Sequence, residues 1–314
     1  MTGILDRPLV LVTGKGGVGK STVAAALGRA AAAAGLKTMV CEVGAQARVA
    51  RLLGAGPGAL GDEQEVEGGL WTLSIDPDDA LKAWLAKQLG SRSLVNILTR
   101  SNLFSYFVAA APGARELVST TKIWELAQRP RWNKGDPTYD VVIADLPATG
   151  HALAMLRAPK TFNDIARIGP IASQAGAVAR SLADPAQTAI VAVTVPGELP
   201  VSETLDLQDR TVQTLGRELD LVVANDVLSA RWTPEQATEL GSAGVAVAGR
   251  VHGAVSREAA RAAVQQAQLH RLRAGVRVPV LTLPHLTTPS LGPEDVRTLA
   301  EDLSDQLTGV GITG

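Results

Sequence analysis

The sequence predicts an α/β fold: one doubly wound, mostly parallel sheet carrying a helical insertion. Three observations point to it. Short β-branched runs alternate with helical stretches, most of the runs are apolar throughout, and a glycine-rich loop separates the first run from the first helix. Strands that are apolar throughout are buried on both faces, which is what crossover helices on a parallel sheet produce. With 314 residues, 46% of them hydrophobic, the chain is long enough to bury a large core.

Seven strands are expected, at Leu9 to Val12, Thr38 to Val43, Leu70 to Ile75, Tyr139 to Ala144, Ala189 to Val195, Leu219 to Ala224 and Val278 to Leu283. Between Asp76 and Pro130 no strand signal appears. Helical spacing instead covers Asp78 to Leu89, Ser91 to Ala109 and Gly113 to Arg129, an insertion of about residues 78–130. A further helical segment covers about 151–185. Another is expected to start at Ser256, as its N-cap, and to end at Gly275, and a final helix carries Glu294, Asp295, Glu301, Asp302 and Asp305. No repeat or low-complexity linker divides the chain, so residues 1–314 read as one domain.

Charge and cysteine content narrow the function classes. A formal net charge of -1 offers no broad positive field for nucleic acid or anionic lipid. No apolar run approaches the roughly 20 residues that span a bilayer, so no stable membrane insertion is expected. The lone cysteine, Cys41, leaves no thiol set for zinc or an iron–sulfur cluster, and a reducing, cytoplasmic compartment fits best.

The string Gly14-Lys15-Gly16-Gly17-Val18-Gly19-Lys20-Ser21-Thr22 satisfies G-x-x-x-x-G-K-[ST] between a strand and a helix, the context that pattern requires. Its glycines let backbone N–H groups and the helix N-terminus face phosphate oxygens. Lys20 adds a point charge and Ser21 a hydroxyl for magnesium. The run Val141-Val142-Ile143-Ala144-Asp145-Leu146-Pro147-Ala148-Thr149-Gly150-His151 ends a buried strand in a carboxylate and breaks into a turn. Asp145 there can hold magnesium's water shell, and the turn can sense a γ-phosphate. ATP or ADP with Mg²⁺ is the expected ligand.

With its second lysine, Lys15, the loop resembles the deviant Walker A class of P-loop ATPases. The D-x-P-A-T-G-H run resembles the D-T-A-P-T-G-H switch of the arsenite-pump and tail-anchored-protein targeting ATPases, above all their bacterial targeting-factor-like members. Asp76-Pro77, Ala111-Pro112-Gly113 with Glu116, Pro200 with Glu203-Thr204, Asn225 and Leu283-Pro284 extend the likeness along the chain. The resemblance implies a nucleotide-gated dimer in which Lys15 reaches the facing subunit's nucleotide, Asn225 reads the adenine edge and the loop at Pro284 flanks the base. The partner is a second copy or a paralogue, and the client is an unidentified protein or lipid. The cysteines that such pumps and targeting factors use for metalloid or zinc are missing.

Where the family carries S-T-D-P-A after the second strand, this chain reads Glu42-Val43-Gly44-Ala45-Gln46, with Gly44 in the place of the water-positioning Asp. Glu42 or Gln46 would then have to orient the water, or hydrolysis is slow. A carboxylate restored by Gly44→Asp is expected to raise turnover, provided the loop tolerates a Cβ at that position. Alternatives are a nucleotide-gated scaffold with little hydrolysis and a partitioning or septum-site type of ATPase. The insert's apolar residues, Leu94 to Val108, read more readily as packing than as a client groove.

Overall fold

The structure is a computed structural model that describes residues 3–44, 46–56, 61–89, 113–166, 168–229, 236 and 248–309. Among these residues eight strands form one sheet: β1 (Leu9–Gly14), β2 (Thr38–Val43), β3 (Gln64–Glu67), β4 (Leu70–Ile75), β5 (Val141–Asp145), β6 (Thr188–Thr194), β7 (Leu221–Val227) and β8 (Val280–Pro284). The order is β3-β4-β2-β5-β1-β6-β7-β8, with every pairing parallel except the β3–β4 edge. The expected α/β architecture is thus present, with a strand more than expected. β3, Gln-Glu-Val-Glu, escaped the pattern because it is short, polar and half solvated, as an edge strand that must not recruit another chain tends to be.

Along β1 the side chains alternate between two cores. Val10 and Val12 pack into the layer made by α1 (Lys20–Ala33), α2 (Arg48–Leu53) and a C-terminal helix, Pro293–Gly309. Leu9 and Leu11 face the other layer, with α3 (Pro77–Leu89), α4 (Ala114–Leu126), α5 (Thr149–Ala166) and α6 (Pro170–Ala183). On that second face α7 (Glu198–Leu215) and α8 (Ala248–Gly275) complete the cover over β6 and β7, and the C-terminal helix is α9. Burial on both sides is why these strands are apolar throughout.

Several expected boundaries move. α8 begins by Ala248, so Ser256 lies inside a helix and does not cap it. β7 runs to Val227, so Asn225 is a strand residue, beside a bulge at which Asp226 takes a positive φ of 63°. The two described helices of the insertion, α3 and α4, pack onto the second face through Leu81, Trp84, Val118 and Ile123, and Trp84 Nε1 donates to Gln174 Oε1 at 2.9 Å. Ser91 to Ala109, with the apolar run Leu94 to Val108, lies outside the described residues.

Candidate functional site

Parallel register brings the site together. Val12 of β1 pairs with Asp145 of β5, and Glu42 of β2 pairs with the same Asp145, so three carboxyl ends converge beside the glycine loop. This is the end of an open parallel sheet at which ligands bind.

The loop is held from both sides. Gly19 has φ +88°, and a Cβ there would sit 2.2 Å from Asn225 Nδ2, so both conformation and space demand glycine. Asn225 Nδ2 donates to the Val18 carbonyl at 3.0 Å, tying β7 to the loop. Lys20 Nζ lies back across it and donates to the Lys15 carbonyl at 3.0 Å. On the other side Gly16 approaches the switch turn, where a Cβ would stand 3.9 Å from Ala148 Cβ.

Ser21 Oγ donates to Asp145 Oδ2 at 2.5 Å, while Asp145 Oδ1 is buried with no hydrogen-bond partner. Burial pushes the Asp145 carboxyl up to about 6, against the pull of Ser21 and Lys20, and neighbouring Glu42 adds to the rise. Lys20 is shifted the other way. Burial lowers its pKa, Asp145 opposes that and Arg48 adds to it. A carboxylate with one unsatisfied oxygen beside a serine hydroxyl is a donor set that fits a hard divalent cation, which would complete its shell with water and phosphate oxygens.

A cavity of about 340 Å³ opens on the loop. Gly17, Gly19, Lys20, Ser21 and Thr22 line it together with Arg48, Arg51 and Leu52 of α2 and Leu291. Sequence reasoning missed these two arginines, although their spacing of three residues directly after the second strand was legible.

Other expected residues have different surroundings. Glu42 is buried, with Oε1 accepting from Ser74 Oγ at 2.8 Å and Oε2 from the Arg48 backbone N–H at 3.2 Å. The second of these bonds holds the start of α2, and the first ties Glu42 to β4. Gly44 has φ +117°, so the condition attached to Gly44→Asp fails: open space surrounds the position, but an L side chain would strain the backbone. Lys15 Nζ forms an ion pair with Glu203 Oε1 of α7 in the same chain, at 2.7 Å. Pro284 ends β8 opposite Val227, one strand beyond Asn225. Next to it His285 Nδ1 meets Asp226 Oδ1 at 2.6 Å. Cys41 is buried, which pushes its thiol up and away from reactivity.

A family model for anion-transporting ATPases matches residues 7–179, more than half the chain and the whole segment from the glycine loop through Asp145. The chain belongs to the anion-transporting ATPase family. It is 30% identical to ATPase BagA of Mycobacterium tuberculosis over 308 residues, which cover 97% of this chain and 85% of that protein. A Halobacterium salinarum protein named as an arsenical pump-driving ATPase is 26% identical over 318 residues, covering 95% of this chain and 44% of that protein. The ATPase GET3C of Arabidopsis thaliana is 26% identical over 177 residues, which span 52% of this chain and 44% of that protein. At the level of the family, then, the chain is an ATPase. Among the described residues no group of three or more His, Cys, Asp and Glu side chains could hold a metal, and no helix is long and apolar enough to cross a membrane.

Proposed function

We propose that this anion-transporting ATPase family member binds and hydrolyses Mg-ATP as a dimer and couples nucleotide state to opening and closing of that dimer. The observation that carries the nucleotide reading is the convergence of Lys20, Ser21 and the half-satisfied Asp145 on one loop at the carboxyl ends of the sheet. Lys20 and the loop N–H groups hold the phosphates, and Ser21 and Asp145 hold magnesium. When bound, magnesium would neutralise negative charge on the phosphates. Asn225 fixes the loop's shape from β7 and reads the adenine edge, while the turn after Asp145 senses the γ-phosphate. The base is flanked by the segment at Pro284.

In this reading Lys15 leaves Glu203 when the dimer closes and reaches the partner's nucleotide. The pair is half exposed, so exchanging it for a phosphate contact costs little. Lys15→Ala is then expected to keep nucleotide affinity and lose most hydrolysis. Mixing it with wild-type subunits tests the role across the interface: activity strictly proportional to wild-type protein at every ratio would contradict it. The partner is a second copy or a paralogue, and the client a protein or lipid.

Hydrolysis is expected to be slow. Gly44 carries no carboxylate, and both oxygens of Glu42 are engaged, one by Ser74 of β4 and one by the Arg48 backbone N–H, which favours a second reading in which the protein is chiefly a nucleotide-gated scaffold. Multiple-turnover phosphate release, with Lys20→Ala as the control, separates the two. Release at the control's level alongside intact ATP binding would select the scaffold.

A further inference from the structure

We propose that Arg48 and Arg51 form a second wall of the phosphate site and grip the nucleotide's phosphate chain from the side facing the glycine loop. The inference rests on the nucleotide reading above and adds to it two side chains that the loop motif does not contain.

The short helix α2 is amphipathic in the most local sense. Val49 and Leu53 are buried in the core shared with α1 and α9, which turns Arg48, Arg51 and Leu52 toward the cavity. Arg48 is fixed at the helix start, where its backbone N–H bonds Glu42 Oε2 and the preceding Ala47 is held at a positive φ of 45°. A non-glycine residue kept in that region costs conformational energy, so the surrounding structure determines where the helix begins. The guanidinium of Arg48 is near enough to both Lys20 and Asp145 to shift each of them.

Among the described residues neither guanidinium has a hydrogen-bond or ion-pair partner. Three cations, Lys20, Arg48 and Arg51, thus face one cavity of about 340 Å³, and the buried Asp145 beside Lys20 and Arg48 is held by Ser21. Like charges gathered in this way repel one another until an anion with several oxygens fills the space. A phosphate chain does so, and arginine's planar fork suits it because two N–H groups can meet two phosphate oxygens at once. A nucleotide that entered between the loop and α2 would then be held from two sides, by backbone N–H groups and Lys20 on one and by the arginines on the other.

The test is calorimetric titration of the full chain with ATP, ADP and inorganic tripolyphosphate, each with magnesium. Wild type is compared with Arg48→Ala, Arg51→Ala, the double variant and Arg48→Lys. Both side chains are exposed, so the variants should fold like wild type, and circular dichroism checks this. Each single alanine variant is expected to bind ATP about tenfold more weakly and the double variant about a hundredfold. Tripolyphosphate is expected to lose the same factors, and Arg48→Lys to recover part of the affinity. Unchanged ATP affinity in the double variant would overturn the inference, as would a loss confined to ATP and absent from tripolyphosphate. If wild type binds neither ATP nor ADP, the nucleotide reading itself fails, and that outcome is distinct from both.

Discussion

The strand β5 carries a cluster of charge at each end, and the two are built on opposite principles. Just before its amino end, Tyr139 joins Glu63, Arg131, Glu125 and Lys122 in a closed network. The Arg131 guanidinium bonds both carboxylates at 2.7 Å, Tyr139 Oη donates to Glu63 at 2.7 Å, and Lys122 meets Glu125 at 3.0 Å. Glu63 and Glu125 are satisfied there by Arg131 and Lys122, with Asp136 at 3.9 Å from Arg131. At the carboxyl end Lys20, Arg48 and Arg51 line one cavity, and Lys20 and Arg48 lie near enough to act on Asp145, one of whose oxygens has no partner. Buried polar groups that satisfy each other fix a structure, whereas groups left short of partners are arranged for something that arrives later.

That contrast can be broken most severely at Arg131. Its side chain is 1% exposed between two carboxylates, so Arg131→Ala leaves both without their main partner and should cost about 3–5 kcal/mol in urea denaturation. Nucleotide affinity of the molecules that remain folded should not change. A small stability loss would mean that the network is less essential than its geometry implies.

Lys20→Ala is expected to do the reverse. Nucleotide affinity should fall about a hundredfold, equivalent to about 2.7 kcal/mol, while the urea midpoint without nucleotide stays within about 0.5 kcal/mol of wild type. Loss of stability with binding retained would place Lys20 among structural groups.

The two ends should also answer pH with opposite signs. Burial alone would raise Glu63 and Glu125, but the hydrogen bonds and charge of Arg131, with help from Lys122 and, at Glu63, from Tyr139, bring both below the usual carboxylate range. Their contribution is complete above about 4.5, the unfolded value, and is lost as pH falls through the lower folded values. Asp145, pushed up to about 6, behaves oppositely: the folded state holds its proton more tightly, so stability falls as pH rises from about 3.8 to about 6 and is level beyond. Asp145→Asn should therefore gain on the order of 1–2 kcal/mol at pH 7.5 and abolish the magnesium dependence of ATP binding. Glu63→Gln should flatten the acid limb. Chemical denaturation at a series of pH values reads both, and a gain in magnesium-free ATP affinity is not expected from either.

The smallest effect is expected at Glu203. Its pair with Lys15 is half exposed, so Glu203→Gln should alter stability by no more than about 0.5 kcal/mol. If closure requires Lys15 to leave, the same substitution should shift ATP-dependent dimerisation, read by sedimentation, toward the dimer.

Much of this was legible in the sequence. Seven strands fall within a few residues of their expected positions because a strand buried on both faces needs an uninterrupted apolar run. The glycine loop was legible because phosphate binding demands glycines, a lysine and a hydroxyl in a fixed local order. β3 was not, since an exposed edge strand of glutamates has no apolar signal. The cap expected at Ser256 failed for a related reason: a local capping preference yields to a helix already running from Ala248.

The residues that meet across the fold belong to the tertiary structure alone. Val18 and Asn225 are 207 positions apart, Lys15 and Glu203 are 188 apart, and Ser21 and Asp145 are 124 apart. Spacing along the chain says nothing of such pairs, because strand order and register decide which side chains converge. Glu42 shows this most clearly. As sequence it is an acid at the end of a strand, a candidate to orient water, but β2's placement between β4 and β5 brings Ser74 to one oxygen while α2 brings the Arg48 N–H to the other. The sequence by itself determined that phosphate-binding chemistry sits after β1, since that chemistry is local. Which charges are satisfied and which are left facing the cavity was decided by packing, since satisfaction depends on neighbours that only the folded chain supplies.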